Sequence, residues 1–404
     1  MSRQMKDSGI EWIGEIPADW ELGRIGQLYS ERREKVSDTE YAPLSVTMQG
    51  IVPQLSTAAK TDAHDDRKLV KKGDFAINSR SDRRGSCGVS PFDGSVSLIN
   101  TILCPQDDMN AGYYNWLFHT SMFADEYYKW GHGIVNDLWT TGWQEMKRIS
   151  IPVPAIEEQS RIADYLDQQC AHIDAVIEKT KASIEEYKKL KQAVITQAVT
   201  KGIRGDRPMK DSGIEWIGKI PADWDVLALK YLCSMQSGKN LTSEEIAPEG
   251  NFKVYGGNGV RGYYKDYNAD GDYLLVGRQG ALCGNVHHVN GKFWATEHAI
   301  LTSTTHLSDI NFLFYLLIGM NLNQYVSSTA AQPGLAVSNI LNIRTCLVPI
   351  SEQEEIACYL DAKCSEMDVL VAKKETFLAE LETYKKSLIY EYVSGMKEGS
   401  QSCQ

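Results

Sequence analysis

Apolar positions recur with helical spacing in two long stretches of the chain. In the first, Ile162, Leu166, Ile173, Ile177, Ile184, Tyr187, Val194 and Ala198 stand out from a background of Lys and Glu. The second follows suit with Ile356, Leu360, Met367, Leu370, Leu378, Leu381, Leu388 and Tyr392. A period of about 3.6 residues, sustained for about forty, predicts two long amphipathic helices. Gly202 and Gly395 close them, and after Pro154 the acidic pair Glu157 and Glu158 suits the positive end of a helix dipole. At ~1.5 Å per residue each helix reaches roughly 60 Å, more than a small domain can cover. Each is therefore expected to pair with the other.

The stretches are copies of one another. Residues 5–20, MKDSGIEWIGEIPADW, return at 209–224 as MKDSGIEWIGKIPADW, with Glu15 replaced by Lys219. PAIEEQSRIADYLD (154–167) answers to PISEQEEIACYLD (349–361), and the offset that pairs Gln159 with Gln353 then holds to Val199 and Val393. Such self-similarity means tandem duplication of a whole unit, far longer than a solenoid repeat. Two related long helices in one chain are then predicted to run antiparallel. The second EQ segment is one residue shorter, which leaves its helix start open. In the EWIGEIPADW motif, Trp12, Ile13, Ile16 and Trp20 are packing candidates, suited to a core joint or to a partner-docking surface; the joint is preferred. Between the shared ends the two middles are dissimilar. Each has a glycine-rich, β-rich stretch, then a short apolar helix, expected at 113–128 and 311–325.

Composition narrows the class. With 404 residues, 45.2 kDa, 43% hydrophobic and 24% charged residues, the chain has room for two globular domains. A net charge of −11 argues against non-specific coating of nucleic acid or an anionic membrane. No apolar run approaches the ~18 residues of a membrane span, and MSRQMKDSGIEW lacks a signal h-region, so a cytoplasmic protein is expected. Nine cysteines without a CxxC pair read as reduced thiols.

Little in the sequence points to catalysis. GGNGVRG holds a formal G-x-G-x-x-G at Gly257, Gly259 and Gly262, but polar turn and strand residues follow where a dinucleotide site needs a helix. Cys283, His287, His288 and His298 fit no familiar zinc spacing. No catalytic residue, resident cofactor or metal is expected. What remains is basic and amide residues on glycine-rich loops: Gln49, Asn78, Ser79, Arg80, Arg83, Arg84 and Ser86 in the first middle, and Asn258, Arg261, Arg278, Gln279 and Lys292 in the second. Arginine on guanine and Asn or Gln on adenine are the pairings of major-groove reading, and Lys and Arg also hold phosphates. Loops 45–50 with 78–88, and 256–262 with 277–292, are the candidate reading surfaces.

Together these features resemble the DNA-specificity subunit of type I restriction-modification systems over nearly the whole chain. GIEWIGEIPADW resembles the family's entry motif, and IPVPAIEEQSRIADYLD and VPISEQEEIACYLD resemble its openings to the conserved helices. Residues 71–97 and 254–301 look like two common types of target-recognition domain. The resemblance implies an α+β protein: two tandem α/β target-recognition domains, at 1–153 and 205–348. Long helices at 154–204 and 349–396 would join them as an antiparallel, pseudo-two-fold coiled coil, with a flexible tail at 397–404. It implies a non-catalytic subunit whose domains each read half of a bipartite double-stranded DNA target, the coiled coil setting the spacer. Two modification subunits using S-adenosylmethionine and two restriction subunits using ATP and Mg would be its partners, with no membrane. Two rivals stand beside it: a coiled-coil adaptor without a DNA role, and a nucleotide-binding enzyme using loop 256–262.

Overall fold

In the computed structural model, residues 3–55, 66–106, 108–133, 139–279, 283–326 and 334–398 are described; most of the expected tail, 399–404, lies outside them. The chain forms two compact units, residues 1–180 with 377–404, and residues 181–376.

In the first unit an antiparallel sheet is built from β1 (Tyr29–Glu31), β2 (Phe75–Asn78), β3 (Cys87–Val89) and β4 (Asn100–Pro105), in the order β3-β2-β4-β1. All four residues of β2, FAIN, are buried because both faces of the sheet are covered. Phe75 and Ile77 face helices α1 (Ala111–Phe118) and α2 (Ser121–Lys129), with Phe75 5.0 Å from Phe118. Ala76 faces the other way, toward Leu44, Ile51, Val70 and Val96. The single helix expected at 113–128 is thus two. Thr120 accepts a hydrogen bond from Phe123 N at 3.2 Å, capping a second helix where the first stops.

The second unit is organised around one sheet of β5 (Cys233–Ser237), β6 (Phe252–Gly256), β7 (Gly259–Tyr264), β8 (Ala269–Gly277), β9 (Val286–Ala295) and β10 (Ala299–Thr304). Its order is β5-β10-β8-β9-β6-β7, antiparallel except for the β6–β9 pair. The apolar helix expected at 311–325 ends early. It spans Ile310–Gly319, and Asn321 at φ +47° turns the chain into a short 3-10 segment.

Two long helices, Ile156–Lys201 and Ile350–Val393, contribute to both units. Despite the missing residue in the second EQ segment they start at equivalent positions. Gln159 donates to Pro154 O at 2.8 Å and accepts from Asn110 N at 2.8 Å. Gln353 donates to Val348 O at 2.7 Å and accepts from Asp309 N at 2.8 Å. Asn110 and Asp309 in turn cap the short apolar helices, so each EQ glutamine ties two helix starts together.

Within each unit the long helices pair antiparallel. In the first, Tyr165 stacks on Tyr392 at 4.5 Å and Asp174 meets Lys385 at 2.6 Å. In the second, Lys191 meets Asp368 at 2.6 Å and Lys374 lies 5.6 Å from the Tyr187 ring. The two ion pairs are reciprocal, because Asp174 corresponds to Asp368 and Lys191 to Lys385 in the duplicated register.

The repeated entry motif is a joint: Ile13, Ile16 and Trp20 are buried, as are Ile217, Ile220 and Trp224. Trp20 Nε1 donates to Glu158 Oε2 at 2.9 Å, and Trp224 Nε1 to Glu352 Oε2 at 3.0 Å. Arg3 pairs with Glu158 and lies 5.4 Å from the Trp20 ring. Arg207 pairs with Glu352 at 2.7 Å and lies 5.0 Å from the Trp224 ring. An Arg–Trp–Glu clasp thus fastens each motif to the first turn of a long helix, where a carboxylate is favoured.

Eight cysteines are described, all as free thiols, and Cys358 is the one exposed among them. Burial pushes Cys87, Cys233 and Cys346 up to about 12, and Cys170 to about 11. Since the thiolate is the reactive form, iodoacetamide at pH 8 is expected to label Cys358 and to spare these four. Mass mapping of the native protein reads the outcome, and label on any of the four without denaturant would contradict their burial.

Candidate nucleic-acid interface

In the first unit the 79–86 loop leaves the buried end of β2. Asn78 Oδ1 accepts from Arg80 N at 3.0 Å, Asn78 N donates to Ser86 O at 2.9 Å, and Ser79 Oγ donates to Ile99 O at 2.5 Å. Asn78 and Ser86 are buried, so with Ser79 they shape the loop from within. Arg80 and Arg83 are exposed and, with Asn78, line a groove of about 430 Å³ against Ser45 and Thr47. Arg84 turns elsewhere, 2.8 Å from Asp125 and 5.0 Å from the Tyr128 ring. Gln49 sits exposed at the tip of the hairpin Leu44–Thr47/Gly50–Pro53. That hairpin packs on Gly88, where a Cβ would stand 2.8 Å from Gly50 Cα, so only glycine lets the tip approach the sheet.

Sequence reasoning missed Arg67. It lines the same groove while 6% exposed, donating to Ser95 Oγ at 2.9 Å and Ser95 O at 3.0 Å. Burial lowers its pKa. In the sequence it is one of two basic residues opening a strand, with nothing to mark it.

In the second unit GGNGVRG is the β6–β7 hairpin, turning at Gly257 and Asn258 and continuing as strand. A phosphate-cradling helix start does not follow it. Asn258 Oδ1 accepts from Asn285 Nδ2 at 2.9 Å. Arg261 lies beside the register shift of the hairpin and its stem covers Gly256. A Cβ on Gly257 would lie 2.9 Å from His298 O, the oxygen that also accepts from Arg278 N at 2.9 Å. The hairpin tip is thereby packed against the end of β8, where Arg278 and Gln279 emerge. Arg278 Nη1 reaches Ser237 Oγ at 3.4 Å, and Gln279 Oε1 is 3.0 Å from His298 Nδ1. Loop residues 280–282 lie outside the described residues.

Lys292 does not join this cluster. It faces Asp270 across β8–β9 and lies 4.7 Å from the Tyr267 ring, six residues along β9 from Val286, or roughly 20 Å away. The zinc-like quartet is also dispersed: Cys283 donates to Arg278 O at 3.0 Å, and His288 pairs with Asp272 at 2.7 Å. His287 Nε2 is buried without a hydrogen-bond partner, and burial lowers its pKa. Among the described residues no group of three or more His, Cys, Asp or Glu is placed to hold a metal.

A duplicated frame thus carries arginine-, asparagine- and glutamine-bearing loops on two unlike sheets. Residues 221–375 match the family model for the type I restriction modification DNA specificity domain. The specificity subunit of type I restriction enzyme EcoprrI from Escherichia coli is 42% identical over 137 residues, 33% of this chain and 34% of that one. The match thus spans about a third of that relative's length. The MjaVIII specificity subunit of Methanocaldococcus jannaschii is 25% identical over 415 residues, covering 94% of this chain and 93% of the relative. Among solved structures, one concerning complex assembly and conformational transition of the type I R-M system superposes with a TM-score of 0.73. It shares 15% identity and covers 95% of this chain and 99% of the other, which establishes a common fold. Residues 221–375 thus match a DNA specificity domain, and over nearly its whole length the chain is similar to a specificity subunit of a type I restriction enzyme.

Proposed function

We propose that each unit reads one half of an asymmetric, bipartite DNA target and that the paired long helices set the number of unread base pairs between the halves. What carries this reading is the combination of repeated clasps and EQ ties with two unrelated sheets: one frame presents two different reading surfaces. The loop side chains fit the chemistry. Arg80 and Arg83 in the first unit, and Arg278, Gln279 and Asn258 in the second, are donors and amides of the kind that base edges and phosphates accept.

The chain supplies recognition and no bond-making step. Methylation of adenine, with S-adenosylmethionine, belongs to two modification subunits docked on it, where the flipped base would sit. ATP- and Mg-dependent cleavage belongs to two restriction subunits. A net charge of −11 suits this division, because partners bearing positive charge can complete a groove for the duplex. The assembly would act in the cytoplasm.

The test is a matched insertion of four helical residues after Thr180 and after Thr376, where the compact units divide both helices. One added turn of about 6 Å should lengthen the unread spacer by roughly two base pairs at ~3.4 Å each. Mapping of methylated adenines in a host carrying the complete system reads the target. Altered half-sequences with an unchanged spacer would overturn the ruler, and absence of any sequence preference would favour a plain adaptor.

A further inference from the structure

One arginine of the first unit is buried against neutral oxygens. Arg67 opens the strand Arg67–Val70 and is 6% exposed. Its Nε donates to Ser95 Oγ at 2.9 Å and its Nη2 to Ser95 O at 3.0 Å. Ser95 is itself fixed: it is fully buried, and its hydroxyl donates to Tyr41 O and its N–H to Ala42 O, both at 2.9 Å. Among the described residues no carboxylate forms an ion pair with Arg67, and burial outweighs the attraction of Asp38. Its charge is therefore held at a net cost. A guanidinium has five donors, and Ser95 takes two of them.

The remaining donors belong to a side chain that lines the groove of about 430 Å³ beside the 79–86 loop. Arg80 and Arg83 stand exposed on the same groove. Asp82, 3.7 Å from Arg83 Nε, is the one carboxylate among its described lining residues. Three guanidiniums against one carboxylate, set between the apolar side chains of Leu44, Leu55 and Ile99, concentrate positive potential there. A cation in such surroundings is better met by an anion than by a neutral base edge. The anion that a duplex offers is its phosphate, which projects from the backbone while the bases stay stacked. We propose that this groove is a phosphate seat: Arg67, positioned by Ser95, holds one DNA backbone phosphate and so fixes the register of the duplex against the loops of the first unit. The inference rests on the reading of this unit as a DNA reader and assigns one contact within it.

The experiment measures affinity of the complete complex for a duplex carrying its mapped target and for one lacking it, from about 50 to 200 mM salt. Arg67→Gln and Arg67→Met both remove the charge, and the glutamine can still donate to Ser95. Both variants are expected to bind either duplex roughly tenfold more weakly. The slope of log affinity against log salt should become shallower by about 0.9, with the methylated word unchanged. Arg67→Lys keeps a cation, which holds phosphate as a point charge, and should keep the native slope and word. A word changed at one position would mean that Arg67 reads a base, and overturns the seat. So does a native slope in Arg67→Gln, which would leave Arg67 as no more than a tie between strands. A native target without two separated halves sinks the bipartite reading alone, because the slope on the duplex lacking the target still reports the phosphate contact.

Discussion

Replacing Glu352 by alanine is expected to destabilise the second unit by about 3–5 kcal/mol, the range for breaking a buried ion pair by removing one member. Glu352 is 2% exposed, accepts from Trp224 Nε1 and pairs with Arg207. Its loss leaves a largely covered guanidinium without its counter-charge and the Trp224 indole N–H without its acceptor. For a unit of about this size that corresponds to roughly 10 °C in Tm, at about 2–4 °C per kcal/mol. Removing Arg207 as well should restore part of the loss, since the stranded charge goes with it. Arg204→Ala is the control: its partner Glu355 is exposed, and no change in Tm is expected. Calorimetry on the full chain reads all three, and a shift below about 0.5 kcal/mol for Glu352→Ala would contradict the clasp.

Gly238→Ala should cost about 3 kcal/mol, the upper end for overpacking a closely fitted site. A Cβ at this position, just after β5, would run into the backbone carbonyls of Ala295 and Thr296. Backbone cannot swing aside as a side chain can, so β5 would have to leave its pairing with β10. Gly291→Ala separates lack of space from strain. It has φ +93° and nothing within 4 Å of a new Cβ, so only the left-handed backbone resists, at about 1–2 kcal/mol. Urea unfolding ranks the two variants. In the complete system Gly238→Ala should also abolish recognition by the second unit's loops. Equal costs for the two substitutions would mean that the Gly238 contact does not bear on the sheet.

Both long helices, the joint residues Ile13, Ile16 and Trp20, and the duplication itself were legible from spacing and repetition. Those signals are local or are copied twice, so no knowledge of distant partners is needed to see them. The EQ segments showed only as a repeated string. That Gln159 and Gln353 each reach across to the start of another helix is a contact between residues more than forty positions apart, and pattern alone does not contain it.

The candidate loops divide the same way. Glycine-rich segments bearing Arg, Asn and Gln marked candidate stretches of chain, and Arg278, Gln279, Asn258 and Arg261 do lie at one end of the second sheet. Lys292 looked like part of that group until strand register placed it at the other end of β9, and Arg84 turned to Asp125 rather than to the groove. Arg67 entered the groove from a strand with no distinguishing mark. By itself the sequence determined a twice-repeated helical frame with two unlike middles. Only the tertiary structure decided which loop residues share a surface, because strand order and register are set by pairings between distant segments, and a side chain's face follows from them.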